Sequence, residues 1–536
     1  DVNVMFTLDD SGSMQSDVIP DITSTTGLPT NGGSRFLNNS KYANMWGPDT
    51  EYLAPAYYSA TGVSNANMSG RYFRSPSGNP MYYNPETRYR PWPKADDNRD
   101  VLPNANPAAV IIDPETPTTT LNANERRVLN LTQRMGPGNN QFWPATYFIY
   151  KGDRPMSGRL DTGRNIGTNF TMYEITGSSS DGRQSFPRYE KRTDCDATAC
   201  TRAQELQNFA NWLQYYRNRR LMAKGGVATA FAAQGTNLRV GYAMIGKGSN
   251  VIQRGVRQFI DDPVGTTNRR TLRTEFFNKL YGTASSDSTT PLRTASKRVG
   301  DHFETDEPWA ENPASPGTGT ERQCRRSFHF LSTDGYWNDS VDTNLDVYKN
   351  NDDLTGLSTP VPYRGTSTNY TINTGAPPAS DTNRFTVHPF KDGHGSNLSD
   401  VAAYYWKRDL RPTVDNRVAP TSRDPAFWQH LSTYTIGLGI SGTGEVKLAD
   451  GTKTRGGIPL LASQDNIDWL IANRQQLVWP QTVSDSASTG DDLIHASMVG
   501  RGRYFSASDP STLAAGLSTA LAEATDQPLD VANVTT

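Results

Sequence analysis

The sequence predicts a doubly wound α/β domain with a mostly parallel sheet, interrupted by two large insertions. Three observations carry that reading. The apolar run Val2 to Leu8 stops on Asp9-Asp10-Ser11-Gly12-Ser13, and a second run from Ser327 stops on Thr333-Asp334-Gly335, so two buried strands end in carboxylates and a tight turn. Between and after them, strand-like and helix-like patterns alternate, as they do when crossover helices cover a parallel sheet. Two long polar stretches lack sustained periodicity and break the alternation without replacing it.

Taken in order, the first strand is Val2 to Leu8. A helix should follow the Asp-x-Ser-x-Ser turn within a few residues, yet from Gln15 to about Thr201 the chain is rich in Asn, Ser, Gly, Pro and Tyr. Segments such as Arg71-Tyr72-Phe73-Arg74 and Met81-Tyr82-Tyr83-Asn84 typify it. Ala108 to Ile112 and Ala145 to Tyr150 read as short strands there. The delayed helix begins at Thr201, where Leu206, Phe209, Ala210 and Leu213 follow the spacing of one buried face. Gly225 and Gly226 are positions where it is expected to bend or end. Leu238 to Ile245 is a buried strand and Arg270 to Leu280 a helix. Thr289-Thr290-Pro291-Leu292 opens another helix, with proline expected at its first position. The second insertion runs from about Asp339 to Asp424 and contains a helix after Ser399, through Val401 and Tyr405. His430 to Leu438 is a strand. The last helix is capped by Ser508 or Asp509, carries Pro510 in its first turn, and places Leu513, Leu517 and Leu521 on one face.

Composition bounds the function classes. The 536 residues carry a net charge of −2, which gives no electrostatic reason to expect nucleic acid or an anionic membrane surface. No apolar stretch approaches the ~20 residues that a spanning helix needs. The chain opens inside a strand, so an upstream segment is expected, and the lack of a leader carries no information about compartment. Of the three cysteines, Cys195 and Cys200 are close enough to pair across a short polar loop, leaving Cys324 over. The six histidines are scattered without a metalloprotease spacing, and His329, alternating with apolar neighbours, reads as a core residue. No nucleophile elbow or cysteine signature occurs, so the chain is expected not to be an enzyme.

Three local patterns are set aside. Gly437-Leu438-Gly439-Ile440-Ser441-Gly442 has the spacing of a dinucleotide fingerprint, but Thr443 to Thr454 has no helical face to meet a pyrophosphate. Asp96-Asp97-Asn98-Arg99-Asp100 starts like a calcium loop, but Val101 and Pro107 stand where glycine and glutamate are required. Lys151-Gly152-Asp153 is a tripeptide in a polar loop and carries almost no weight.

Aspartate and serine oxygens are hard ligands that suit Mg²⁺ or Ca²⁺, and strand tips are where open α/β sheets place ligands. Asp-x-Ser-x-Ser, then a threonine, then an aspartate after a strand, resembles the metal-ion-dependent adhesion site of the von Willebrand factor A domain, a Rossmann-like fold. The resemblance implies a metal shell of Asp9, Ser11, Ser13, Thr290 and Asp334, with Thr289 the competing threonine. It also implies a divalent cation, Mg²⁺ first and Ca²⁺ or Mn²⁺ as alternatives, with one position left for water or for a partner's carboxylate.

Five segments are also similar to the N-terminal half of PilY-type adhesins at the tips of bacterial type IV pili: Leu8 to Met14, Gln207 to Trp212, Leu398 to Trp406, Arg423 to His430, and Gly502 to Pro510. That resemblance implies an extracellular, pilus-tip location and attachment to host or abiotic surface ligands bearing an acidic group. It also implies pilus assembly with minor pilins, a virulence role, and no nucleic-acid partner or membrane insertion. The expected organisation is an A-domain core in residues 1–14, 202–338 and 425–527. Residues 15–201 form a Tyr- and Asn-rich insertion with adaptable contact surface, 339–424 the second insertion, and 528–536 the start of a connector to a β-propeller beyond this chain. The rival reading is an intracellular A-domain scaffold that grips an ATPase subunit through its metal site; a Cys195 to Cys200 disulfide would favour the exported reading.

Overall fold

The computed structural model describes residues 1–17, 74–95, 100–111, 128–134, 143–152, 169–178, 183–196, 198–262, 270–286, 289–313, 321–352, 390–419, 426–440 and 477–525, with short strands and single positions between them. Arg71 to Phe73, Asp96 to Arg99, Asp153 and residues 528–536 lie outside the described residues.

Six strands form the central sheet: β1 (Val2–Leu8), β2 (Leu238–Met244), β3 (Ile252–Gln258), β4 (Ser327–Thr333), β5 (Ser432–Leu438) and β6 (Arg501–Ala507), in the order β6-β5-β4-β1-β2-β3. All neighbours are parallel except β2 and β3, so the sheet is mostly parallel with one antiparallel edge. β1 lies between β4 and β2, with Val4 opposite Phe328 on one side and Val240 on the other.

Strand faces follow the two-residue period. Val4, Phe6 and Leu8 enter one buried cluster with helices α1 (Arg202–Tyr215), α2 (Arg219–Ala232), α3 (Leu272–Tyr281) and α7 (Pro510–Thr525). Met5 and Leu331 enter the other, with α4 (Leu292–Phe303), α5 (Leu398–Lys407) and α6 (Ser488–Val499). Both faces are thus covered, which is why the central strands read as apolar throughout. The helix within the second insertion, α5, packs against α4, α6 and β5. Among the described residues, no helix is long and apolar enough to cross a membrane.

Two local expectations are corrected. The helix from Thr201 ends at Tyr215, and Gly225 and Gly226 sit inside a separate helix, α2, without ending it. A methyl on Gly225 would meet the Tyr216 ring at 2.4 Å, and one on Gly226 would meet Leu513 at 2.6 Å, so both glycines serve close packing. Pro291 occupies the N-cap position of α4 rather than its first turn.

The first insertion is zipped to the core through one stripe of α1. Arg202, Glu205, Asn208, Asn211 and Gln214 recur every three residues and all bond to the insertion. Asn208 accepts from the Tyr89 amide at 2.7 Å and donates to the Thr87 carbonyl at 2.9 Å. Asn211 accepts from the Ala105 amide and donates to the Tyr89 carbonyl, and Gln214 accepts from the Ile111 amide. Arg192 donates to buried Glu205 at 2.6 Å, and Tyr83 and Tyr147 donate to the same carboxylate. Tyr82 and Tyr83, expected to offer contact surface, are fully buried against Phe209 and Trp212. Thr146–Tyr150 pairs with Phe170–Glu174, and Val110–Ile111 with Val128–Leu129. Cys195 and Cys200 are disulfide-bonded, and Cys324 is free and exposed.

Candidate metal centre at the strand tips

β1 and β4 are paired in register up to Leu8 and Ser332, and the Asp9 amide donates to the Ser332 carbonyl at 2.9 Å. Their C-terminal tips therefore bring the Asp9 to Ser13 turn beside Asp334. The turn is closed by the Ser11 amide donating to Asp9 Oδ1 at 2.7 Å. Thr333 donates to Asp9 Oδ2 at 2.6 Å and so clamps the two strand ends together.

Three predicted ligands meet directly. Ser13 Oγ donates to Asp334 Oδ1 at 2.8 Å, and the Ser11 and Ser13 hydroxyls lie 3.0 Å apart. Gly335 opens the floor of the site: a Cβ there would sit 3.2 Å from Ser13 Oγ and 3.7 Å from Thr290 Oγ1. Thr290 thus faces the same small space as Ser13. Thr290 is buried whereas Thr289 is exposed. The loop is fixed by Asn338, whose Oδ1 accepts from the Thr290 amide at 2.6 Å.

Asp9 is fully buried, and burial together with the nearby Asp334 charge pushes its carboxyl up to about 7. Two acidic groups drawn together out of water disfavour their own ionisation, and a cation between them reverses that preference. Hard oxygen donors from two carboxylates and three hydroxyls fit Mg²⁺, Ca²⁺ or Mn²⁺.

Two contributors were missed from the sequence. Arg219, at the start of α2, donates from Nη1 to Asp334 Oδ2 at 2.8 Å, with both side chains buried. Asp10 accepts from the Gly246 amide at 2.7 Å through Oδ1, and its carbonyl accepts from the Ser286 amide at 2.7 Å. It ties the turn to the loops after β2 and α3. Nothing in local pattern distinguishes Arg219 from the neighbouring Arg217 and Arg220; the expectation of one long helix through Gly226 hid the helix start that places it.

Two other sequence patterns find structural roles. His329 is fully buried in β4, shares a 2.9 Å hydrogen bond with Thr7, and is lowered by burial to about 3. The Gly437 to Gly442 segment leads to an antiparallel pair, Glu445–Lys447 with Lys453–Arg455.

No family model matches the chain, and no solved structure does. The chain is 28% identical over 509 residues to the type IV pilus biogenesis factor PilY1 of Pseudomonas aeruginosa strain PAK, covering 87% of this chain and 37% of that protein. It is 27% identical over 482 residues to PilY1 of strain PAO1, covering 83% and 35%, and 26% identical over 530 residues to PilY1 of strain UCBPP-PA14, covering 95% and 37%. The chain therefore spans a little over a third of the length of these relatives. The resemblance to a PilY-type protein, first carried by five short segments, is a similarity to type IV pilus biogenesis factors over most of this chain.

Proposed function

We propose that this chain is a metal-dependent adhesion module of the type IV pilus, built on a von Willebrand factor A-type fold. Asp9, Ser11, Ser13, Thr290 and Asp334 hold a divalent cation, Mg²⁺ by preference. The single observation that carries the reading is Ser13 Oγ, which touches both Ser11 Oγ and Asp334 Oδ1 and so joins the two strand tips at one point.

When bound, the cation supplies a positive centre for an acidic group on a surface ligand. The chain's own residues orient that centre. Asp9 and Asp334 provide charge, the hydroxyls complete an oxygen shell, and Thr333 and Asn338 fix the loops that carry them. Similarity to type IV pilus biogenesis factors supports a pilus-associated role, to which the proposal adds an extracellular location and assembly with minor pilins. The Cys195 to Cys200 disulfide supports an oxidising compartment and weighs against the intracellular scaffold.

Calorimetric titration of Mg²⁺, Mn²⁺ and Ca²⁺ into chelator-treated protein tests the reading, with Ser13→Ala and Asp334→Asn as variants of verified fold. Saturable binding, weakened at least ten-fold in both, is the expected result. Binding that both substitutions leave unchanged, or no binding at all, would overturn it.

A further inference from the structure

A second group of ligand side chains lies away from the strand tips, between the second insertion and α6. Asp352, Asp392 and His495 are all buried, and one ligand atom from each lies within 4.8 Å of the other two. Asp352 and Asp392 stand 40 residues apart in the chain and are joined by the Asp392 amide donating to Asp352 Oδ1 at 3.2 Å. Their outer oxygens face the imidazole: Asp352 Oδ2 is 3.7 Å from Nε2 and Asp392 Oδ2 is 3.6 Å from Nδ1.

The ring is held in one orientation. His495 Nε2 is 2.7 Å from the Phe390 carbonyl, an acceptor only, so Nε2 carries the proton and donates. In the neutral ring the acceptor nitrogen is then Nδ1, 3.6 Å from Asp392 Oδ2. Trp479 stacks on the imidazole at 4.2 Å and 15° and fixes its plane. A histidine that donates one N–H to a backbone carbonyl and has its other nitrogen beside a carboxylate has the outer-sphere support typical of a metal ligand.

The surroundings are acidic. Asp492 lies in the same helix as His495; burial raises the Asp392 carboxyl most, His394 lowers it, and the Asp492 charge raises it. Asp400, accepting from the Asn351 and Asn397 amides, is raised by burial and then by Asp352. The field favours a cation, and a mixed carboxylate and imidazole set favours a first-row transition ion over Mg²⁺ or Ca²⁺. Ligand atoms about 2.1 Å from a tetrahedral Zn²⁺ are spaced by about 3.4 Å, close to the 3.6 Å between Asp392 Oδ2 and Nδ1.

We propose that Asp352, Asp392 and His495 form a second cation site, of the Zn²⁺ or Mn²⁺ class, that pins the second insertion to α6. It stands independently of the strand-tip site, which contains no nitrogen ligand. Its occupancy would also brace the loop after Asp334, because Asp492 accepts from Trp337 Nε1 at 2.8 Å and from the Leu398 and Ser399 amides at the start of α5.

The test titrates Zn²⁺ into the chelator-treated full chain with millimolar Mg²⁺ present to fill any all-oxygen site. The native chain is compared with His495→Gln and Asp392→Asn by calorimetry, thermal melting and zinc-edge X-ray absorption. Expected are one saturable Zn²⁺ with an imidazole nitrogen in its first shell, a rise in Tm of several degrees, and affinity lowered at least ten-fold in each variant. An absence of saturable binding, a first shell without nitrogen, or affinity unchanged by both substitutions would overturn the proposal. If either variant fails to fold, the spectrum and melting shift of the native chain decide it.

Discussion

Arg219 and Asp334 form a buried ion pair at the mouth of the strand-tip site, Nη1 donating to Oδ2 at 2.8 Å, so the candidate metal centre carries a positive charge of its own. The guanidinium offsets part of the repulsion between Asp9 and Asp334. It also opposes any second cation.

Arg219→Gln should therefore act in opposite directions on stability and on affinity. Leaving Asp334 buried without its partner costs about 3–5 kcal/mol in the metal-free protein. Divalent-ion affinity should rise, and added Mg²⁺ should raise the Tm of the variant by more than that of the native chain. Melting curves with and without 10-fold excess Mg²⁺ over the native Kd check this; an equal shift in both proteins would show that Arg219 does not compete.

His329 gives the core an acid-sensitive element. Its folded-state pKa is lowered to about 3 by burial, against about 6.5 when unfolded. The unfolded chain binds the proton more readily, so the stabilisation is complete above pH ~6.5 and declines by up to about 1.4 kcal/mol per pH unit below it. Urea unfolding at pH 7 and pH 4.5 should show a smaller acid-induced loss in His329→Asn than in the native chain. Equal losses would refute the assignment.

The amide stripe on α1 predicts a local effect. Asn211→Ala strips partners from the Ala105 amide and the Tyr89 carbonyl, costing about 1–3 kcal/mol for each group left buried and unpaired. Hydrogen exchange should rise across residues 89–105 first, with the central sheet still protected. Unchanged protection in that stretch would mean that the aromatic packing alone holds the insertion.

The Cys195 to Cys200 bridge closes a short loop next to the N-cap of α1, where Thr201 and Gln204 form a reciprocal capping pair. Replacing both cysteines with alanine should cost about 2 kcal/mol by the loop-entropy relation. The measurement is the urea midpoint of the double variant against the native chain, both kept free of reductant; identical midpoints would show that the loop is ordered without the bond.

The parts of the fold that were legible are those where burial and polarity change together. Val2 to Leu8 is apolar until Asp9 and therefore announces both a strand and its tip, and Leu513, Leu517 and Leu521 mark one buried face of α7. Helix α6 left no such trace. Ser488, Thr489, Asp491, Asp492, His495 and Ser497 are all buried along with its apolar residues, so it has no polar face to set a period. The α1 stripe is illegible for the same reason, since buried amides look like solvated ones in sequence. The five oxygen donors of the candidate centre were proposed from sequence because four lie at a strand end or the turn beyond it and Thr290 just ahead of a helix start. Arg219 and Asp10 act through tertiary placement that no local spacing encodes.

The position of β1 in the sheet has a consequence for how the chain folds. Its seven residues pair with Leu238, well over 200 positions later, on one edge and with Ser327 on the other. At a synthesis rate of roughly 5–20 residues per second, Ser327 emerges some 15–65 s after β1. Through that interval an apolar strand with at least one open edge must be kept from other partners. Such distant pairing also makes for slow closure, because the chain entropy of the intervening segments is lost before the sheet contacts form. Productive folding of this architecture thus favours a chain kept from other partners until its second half is available.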